Sequence, residues 1–183
     1  MRDEGVEIHY FEGNHDLHLR YFWGERLGIE VHPGPIRVQL GDRAVRLEHG
    51  DQMNPDDRGY LFLRWFLRTP VVRFLVCHLP GALVARIGDR ASAKSRVYTS
   101  SGGKSITPAE VTARALLHAR QVHAEAPFDM IVSGHIHVRH DEEIEMPSGR
   151  FRSVNLGSWM DGPCYFKIDD TGARFYELGA DAS

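Results

Sequence analysis

The amino-acid sequence predicts an α/β fold built around one core, with a helical insertion in the middle of the chain. Two observations carry this prediction. Strand-like and helix-like apolar patterns follow one another in the order β-α-β-β and later α-β-β-β-β, whereas the stretch between them is helical only. The chain has 183 residues, of which 42% are hydrophobic, so it can bury the core of a single domain.

The N-terminal part is predicted to combine strands with one helix. Residues 6–11 form an apolar run that leads into a loop, so we expect a strand there. Residues 17–27 have a helical pattern, and Gly28 is suited to end that helix because glycine readily adopts the left-handed conformation of a C-terminal cap. Residues 36–40 and 44–48 are expected to pair as a hairpin around a Gly-Asp turn.

The middle of the chain is predicted to be helical. Residues 59–67 and 74–87 are rich in large apolar groups at helical spacing. After a Ser/Gly-rich loop, Thr107 is the expected N-cap of a longer helix, with Pro108 in its first turn and Glu110 completing a capping box. We expect this helix to extend to about residue 125.

The C-terminal part is predicted to be β-structure. It contains one buried strand followed by two hairpins, whose turns carry Pro-Ser-Gly and Asp-Asp-Thr-Gly. The five expected strands are residues 130–133, 144–146, 151–154, 165–168 and 173–178.

Positive charge is concentrated in the helical middle of the chain. From Arg58 to Lys104 there are nine basic residues and one acid, Asp89, which gives a net charge of +8, although the whole chain carries −3. Aromatic residues lie between these bases, a pattern typical of helices at anionic membrane surfaces and suited to an anionic head group with acyl chains. The alternative is an ordinary cationic subdomain packed on the core. Nucleic acid is not an expected partner, because no recognition motif accompanies the charge.

Other features indicate the cellular setting. No apolar run approaches the roughly 20 residues that a membrane-spanning helix needs, and the polar N-terminus is not that of a signal peptide. The two cysteines, Cys77 and Cys164, form neither a CxxC motif nor a disulfide framework. We therefore expect a reduced, cytoplasmic environment.

Three short polar clusters each follow an apolar run: Gly13-Asn14-His15-Asp16, His49-Gly50-Asp51 and Gly134-His135-Ile136-His137. Imidazole, amide and carboxylate groups at strand ends are how a sheet gathers ligands from distant parts of a chain around one metal ion. The glycine in each cluster lets the backbone turn tightly and approach a metal or phosphate. The candidate ligands are the amide oxygen of Asn14 and the imidazoles of His49, His135 and His137.

Each cluster alone has a simpler interpretation. A His-x-His pair is commonly surface decoration, Gly-Asp is a common turn, and His15 could cap a helix. The three together, in this order and after strands, favour a shared metal site. Asp16 beside His15 would fix the orientation of the imidazole and favour its protonated form. The histidines outside the clusters are expected to be structural or surface groups; they include His9, His32, His118, His123 and His140.

The three clusters resemble the last three sequence blocks of the calcineurin-like metallophosphoesterases. The resemblance implies a layered α/β/β/α sandwich and a dinuclear metal centre. It further implies that Asn14, His49 and His135 bind one metal, that His137 binds the other, and that His15 stabilises the phosphoryl or leaving group.

A narrower resemblance, to the UDP-2,3-diacylglucosamine hydrolases of lipid A synthesis, covers nearly the whole chain from Val6 onward. It implies a single domain over residues 1–183 in which residues 52–106 are inserted as a helical lid. The residues that carry it after the second cluster are Asp56-Asp57, Tyr60, Arg64, Leu79-Pro80, Arg90 and Ser95-Arg96. The substrate-binding residues that it implies are Asp57, Tyr60, Arg90 and Ser95.

The sequence departs from the family pattern in one respect. The family has an Asp-x-His strand end and a Gly-Asp block that supply the bridging aspartate and most ligands of one metal, and this sequence carries neither ahead of Gly13. We therefore expect a truncated version of a longer protein. One metal site should be nearly complete, the other should keep the single ligand His137, and the bridging carboxylate should be absent.

The resemblance implies an enzyme: a metal-dependent hydrolase, with Mn²⁺ expected, that cleaves UDP-2,3-diacylglucosamine to UMP and 2,3-diacylglucosamine 1-phosphate. His15 and Asp16 are the expected catalytic residues. The expected partners are a nucleotide-linked glycolipid and, through the basic lid, the anionic surface of the inner membrane on its cytoplasmic side. The alternatives are another calcineurin-like phosphodiesterase, or a catalytically impaired nucleotide- or lipid-binding remnant that lacks the bridging aspartate.

Overall fold

The computed structural model describes residues 4–14, 16–84, 86 and 107–178. The chain divides into two compact units: the first comprises residues 1–54 and 108–183, and the second comprises residues 55–107. The second unit has bounds close to those of the predicted insertion, residues 52–106. The assignment of that insertion as a lid within one domain stays a prediction.

The first unit begins with a small β-α-β piece. Its strands β1 (His9–Phe11) and β2 (Glu30–His32) pair in parallel and form a two-stranded sheet of their own. Between them, the single helix expected before Gly28 is instead a 3-10 turn (Leu19–Tyr21) followed by α1 (Trp23–Leu27). Gly28 ends α1 as predicted, with a left-handed φ of 62°.

Two features of this piece differ from the sequence-based prediction. His18 has a φ of 64°, so the backbone leaves the right-handed region there and no helix can begin at residue 17. β2 was not predicted because it has only three residues, and its one apolar residue, Val31, lies between two polar ones.

The second unit contains two of the predicted helices, α2 (Arg58–Leu67) and α3 (Pro70–His78). The helix predicted over residues 74–87 is confirmed in part, because it is interrupted. α3 begins earlier and ends at His78, since Leu79 precedes Pro80 and adopts an extended conformation that a helix cannot continue through, and helical backbone resumes at residues 81–84.

The centre of the first unit is a five-stranded mixed sheet. Its strands are β3 (Ile36–Leu40), β4 (Arg43–Leu47), β5 (Met130–Ser133), β6 (His140–Met146) and β7 (Gly149–Asn155). They lie in the order β3-β4-β5-β7-β6, with the predicted antiparallel hairpins at the two sides and β4, β5 and β7 parallel to one another. The carboxyl ends of three neighbouring strands therefore lie together.

One face of the sheet is covered by α4 (Pro108–Glu125), which begins directly after the predicted N-cap Thr107. Ala119 of this helix is buried against Phe128, and the same cluster includes Ile131 and Phe151 of the sheet. Burying these side chains supplies the main favourable term for packing α4 on the sheet.

The opposite face is covered by the last predicted hairpin, β8 (Cys164–Asp169) with β9 (Gly172–Glu177). Phe166 of this hairpin packs against a buried cluster that contains Val45 and Val154. A helix, a sheet and a second sheet thus follow one another in layers, and the predicted α/β fold class is confirmed. Within the described residues, no helix has both the length and the apolar character that crossing a bilayer requires.

β6 is the outermost strand on its side of the five-stranded sheet. It carries four acidic residues, and Asp141, the first of them, forms a bidentate ion pair with Arg152 of β7, with both N···O distances 2.6 Å. Ile144 is buried in the core cluster under α4. The strand therefore has two apolar residues, Ile144 and Met146, that contact the core cluster, and an otherwise largely acidic sequence.

Candidate active site

The second and third histidine clusters follow two neighbouring strands. His49 comes two residues after β4, and His135 comes two residues after β5. Because these strands are parallel, with Leu47 opposite Val132, the two histidines leave the sheet side by side. The centroids of their rings lie 5.2 Å apart in an edge-to-face arrangement.

Backbone contacts lock these two turns together. The amide of Gly134 donates to the carbonyl of His49 at 3.1 Å, and the amide of Glu48 donates to the carbonyl of Val132 at 3.1 Å. Gly50 has a φ of 100°, and a Cβ atom there would lie only 3.1 Å from the carbonyl oxygen of Gly134. Position 50 therefore requires glycine, because its φ is positive and because a side chain would collide with the Gly134 turn.

Asn155, at the end of β7, holds the third cluster in place. Its side chain is fully buried, and its Nδ2 donates to the carbonyl of Gly134 at 2.5 Å and to the hydroxyl of Ser133 at 3.1 Å. Its Oδ1 accepts from the amide of Gly157 at 3.0 Å. Sequence analysis did not identify Asn155 as a site residue; the available signal was an asparagine that ends a strand directly before a Leu-Gly turn.

The third cluster has an unusual backbone. His135 has a φ of 68° and His137 a φ of 55°, so both are in the left-handed region that residues other than glycine seldom occupy. Strain of this kind persists only where the surroundings enforce it, and it concentrates at functional sites. The side chain of His137 is exposed, two residues beyond His135 in the same turn.

Gly13 brings the first cluster against the second. A Cβ atom on Gly13 would lie 2.7 Å from Cε1 and 2.8 Å from Nε2 of His49, so no side chain fits at this position. Asn14 follows Gly13 directly in the chain, and Gly13 packs against the His49 ring. His15 lies outside the described residues, and its predicted catalytic role stays a prediction.

Asp16 is anchored by a tyrosine. The hydroxyl of Tyr10 donates to Oδ2 of Asp16 at 2.5 Å. Burial, together with the hydrogen bond and charge of this carboxylate, raises the pKa of Tyr10 to about 12. Tyr10 therefore keeps its proton at neutral pH and holds Asp16, whose predicted catalytic role is not tested by the structure.

A buried carboxylate precedes His49. The side chain of Glu48 is 5% exposed and lies 2.7 Å from Nε of Arg46 and 2.8 Å from Nε2 of His118, which is on α4. Burial by itself would raise the pKa of Glu48, but the hydrogen bonds and charges of His118 and Arg46 together lower it below its usual range. This network ties the end of β4 to the helix that covers the sheet.

The donor set fits a divalent cation. Two imidazoles that bind one cation at about 2.0–2.1 Å have ring centroids about 5 Å apart, and the rings of His49 and His135 lie at this separation. The amide oxygen of Asn14 would add the oxygen donor that mixed nitrogen and oxygen sites use. The assignment of Asn14, His49, His135 and His137 as metal ligands stays a prediction that this geometry supports.

The predicted substrate-binding residues belong to the second unit or lie outside the described residues. Asp57 caps α2, and its Oδ1 accepts from the amide of Tyr60 at 2.9 Å. Arg90 and Ser95 lie outside the described residues. A contact between these four residues and a substrate stays a prediction.

Two parallel strands thus deliver histidine-bearing turns to one end of an α/β sheet, as the motifs predicted for a metal site. The chain is similar to phosphoanhydride hydrolases: it is 27% identical to the UDP-2,3-diacylglucosamine hydrolase of Stutzerimonas stutzeri (strain A1501) over 172 residues, which is 94% of this chain and 70% of that protein. The hydrolase of the same name from Enterobacter sp. (strain 638) is 26% identical over 176 residues, 96% of this chain and 71% of that protein. The predicted resemblance is confirmed over nearly the whole chain.

No protein-family model matches the chain. Among solved structures, vacuolar protein sorting 29 from Cryptosporidium parvum matches 84% of this chain and 60% of its own, at 14% identity and a TM-score of 0.32. We infer nothing from a structural similarity this weak.

Proposed function

We propose that the chain is a metal-dependent hydrolase of the phosphoanhydride bond in UDP-2,3-diacylglucosamine, with UMP and 2,3-diacylglucosamine 1-phosphate as products. One observation carries the proposal. The turns that hold His49 and His135 are hydrogen-bonded to each other, and Gly13 contacts the His49 ring, in a chain that is similar along its length to hydrolases named for this substrate.

The residues that would hold a first divalent cation are Asn14, His49 and His135, and His137 would bind a second. Mn²⁺ accepts such mixed nitrogen and oxygen donors. The chemistry that these residues would gain from a bound cation is polarisation of the phosphoryl group and a lower pKa of bound water.

Other side chains of the protein would position the proposed ligands and the proposed catalytic residues. Asn155 fixes the carbonyl of Gly134 and so the left-handed turn that carries His135. Tyr10 holds Asp16, which in turn would orient the neighbouring His15 toward the phosphoryl or leaving group. The hydrogen bonds of Asn155 to Gly134 and of Tyr10 to Asp16 are present without substrate, so these two supports need no reorganisation when it binds.

Exposed aromatic side chains on the second unit support a glycolipid substrate. α2 and α3 expose large aromatic side chains, and they also carry bases. Aromatic groups suit acyl chains, and guanidinium groups suit a diphosphate or an anionic membrane surface. The exposed aromatic residues are Phe62, Trp65, Phe66 and Phe74. We propose that this unit contacts the substrate through Asp57, Tyr60, Arg90 and Ser95 and associates with the cytoplasmic side of the inner membrane.

The decisive experiment measures UMP release from UDP-2,3-diacylglucosamine with added Mn²⁺. His135→Asn removes the imidazole and keeps a residue that tolerates left-handed backbone, so we expect kcat/KM to fall at least ~100-fold while the fold is retained. The control is Arg150→Gln, an exposed position at the opposite end of β7, which should leave the rate unchanged. EDTA should stop the reaction, and Mn²⁺ should restore it.

The alternatives give different results. Equal turnover of nucleotides that carry no lipid would favour another phosphodiesterase. Tight substrate binding without UMP release would favour a non-catalytic remnant. The proposal is contradicted if a longer version, with the family's Asp-x-His and Gly-Asp blocks restored, releases no UMP and His135→Asn behaves identically.

The membrane part of the proposal is tested separately by co-sedimentation with lipid vesicles. The protein should sediment with vesicles that contain anionic phospholipid and much less with purely zwitterionic ones, and high salt should weaken binding. Substituting Phe62 and Trp65 together by serine should release the protein from anionic vesicles. Equal binding to both kinds of vesicle, or none, would contradict membrane association.

A further inference from the structure

A second group of metal-binding side chains lies on the β1–β2 pair, apart from the proposed active site. The parallel register places His9 opposite Glu30 and Phe11 opposite His32. Because side chains two residues apart on a strand lie on the same face, these four side chains share one face of the pair. Two imidazoles and a carboxylate are thereby brought together from separate parts of the chain.

The distances between the possible ligand atoms suit one small cation. Nδ1 of His9 lies 2.9 Å from Nε2 of His32 and 3.4 Å from Oε2 of Glu30, and Nε2 of His32 lies 3.8 Å from Oε1 of Glu30. Ligands that bind zinc tetrahedrally at about 2.0–2.1 Å lie about 3.3 Å from one another. Small side-chain rotations would therefore bring all three groups onto one ion.

The group is held in position on one side and open on the other. The His32 side chain is 11% exposed, and its ring stacks on that of His9 at a centroid distance of 5.2 Å and contacts that of Phe11 at 5.1 Å. Glu30 is 66% exposed, which leaves a path for an ion and for water. The other ring nitrogen of His9 lies 3.9 Å from a carboxylate oxygen of Glu7, a partner of the kind that orients metal-binding histidines.

We propose that His9, Glu30 and His32 form a binding site for one divalent transition-metal ion, with solvent completing its coordination. Two imidazoles and one carboxylate favour zinc, cobalt, nickel or copper over magnesium and calcium, which prefer oxygen ligands throughout. The competing explanation is a hydrogen bond between the two imidazoles beside an exposed carboxylate. The site shares no residue with the proposed active site, and metal binding at it does not require the proposed function.

An ion at this position would join two strands of three residues each. A two-stranded sheet is at best marginally stable alone, and an ion that binds only the folded arrangement stabilises it. β1 leads directly toward Gly13, which contacts the His49 ring. The ion would therefore brace the strand that carries the first histidine cluster.

The test uses zinc alone and the whole chain. The parent is the double variant His49→Asn, His135→Asn, which removes two ligands of the proposed active site, and isothermal titration should show one bound Zn²⁺. Adding His32→Asn should abolish this binding, and adding Glu30→Gln should weaken it at least ~10-fold. The matched control is Glu25→Gln, an exposed carboxylate on α1, which should bind zinc as the parent does.

A second measurement makes the result independent of calorimetry. Bound Co²⁺ should give visible d–d absorption in the parent and lose it in His32→Asn and in His9→Gln, with circular dichroism to confirm that each variant is folded. Unchanged zinc affinity and stoichiometry in folded His9→Gln or His32→Asn would overturn the proposal, as would a parent that binds no zinc. UMP release by the unsubstituted chain does not depend on either outcome, so failure here and failure of the proposed function are distinguishable.

Discussion

The core of the first unit and the helices of the second unit differ in how far their large apolar side chains are exposed. In the first unit, Phe151 is 2% exposed, and Val45 and Val154 are fully buried. In the second, Phe62 and Trp65 are each 64% exposed, and no described residue of α2 or α3 is buried. Buried apolar side chains hold the layers of the first unit together. On α2 and α3, large apolar side chains are in contact with water instead.

This difference in burial suits the two regions to different functions, one to supporting a site and the other to contacting a partner. The proposed ligands on the histidine turns of the first unit would need a rigid support, because metal ligands must stay within a fraction of an ångström of their places. Exposed aromatic side chains contribute little to folding and typically mark a surface that contacts a partner. Substitutions in the first unit should therefore change stability, and substitutions on α2 should change affinity for an amphiphilic partner.

The largest expected effect tests this separation directly. Phe151 packs between His123 and Phe128, with ring centroids 4.3 and 5.3 Å away. Phe151→Ala should lower the free energy of unfolding by about 3–5 kcal/mol because it leaves a cavity. The matched variant Phe62→Ala should change it by less than about 0.5 kcal/mol. Urea unfolding followed by circular dichroism measures both, and equal losses would refute the comparison.

Next in size is the loss of the buried amide that supports the third cluster. Asn155→Ala removes hydrogen bonds to Gly134, Ser133 and Gly157 and leaves buried polar groups unpaired. We expect a loss of about 2–3 kcal/mol in unfolding free energy and a fall in UMP release. Ser158→Ala, which removes one exposed hydrogen bond to the amide of Met160, is the control and should have little effect on either. Wild-type UMP release by a folded Asn155→Ala would show that the turn does not need this support.

A smaller effect is expected where the first cluster meets the second. Gly13→Ala would place a methyl group against the His49 ring, so it should cost about 1–3 kcal/mol and displace the imidazole. Gly34→Ala is the matched control, because no atom lies within 4 Å of a Cβ there. Thermal unfolding and UMP release should both fall for the first variant and stay near wild type for the second. A Gly13→Ala protein with full activity would contradict the close contact.

The smallest effect is a dependence on pH. Burial lowers the pKa of His140, although the charges of Glu142 and Asp141 partly oppose this. The unfolded chain takes up a proton at this histidine as the pH falls below about 6.5, while the folded chain resists it. The free energy of unfolding should therefore keep its full value above that pH. It should decline as the pH falls through 6.5 toward the lower pKa of the folded state. Urea midpoints at pH 8 and 5.5 measure the decline, which His140→Gln should reduce. An unchanged decline in the variant would assign it to other groups.

Local signals in the sequence predicted much of the fold. β5 occupies the predicted residues, and the capping box at Thr107 marks the start of α4, because both depend on residues close in sequence. The end of α3 was missed because the apolar pattern continues through Pro80 although the backbone cannot. β2 was missed because three residues carry no periodicity.

The site needed information that no local pattern contains. His49 and His135 meet because β4 and β5 are neighbours, although the whole second unit lies between them in the chain. The motifs predicted which side chains would be used, and only the sheet order explains how they come together. His9 and His32 were expected to be structural or surface groups, since without β2 nothing in the sequence brought them together.

The four acids of β6 have a consequence for how the protein behaves in concentrated solution. An outermost strand offers unpaired backbone groups to any other chain, and a row of like charges is one of the ways in which natural sheets prevent a second copy from adding to them. This protection is electrostatic, so dissolved salt screens it. High salt should therefore weaken the repulsion and promote self-association along this strand, which light scattering at low and high ionic strength would detect.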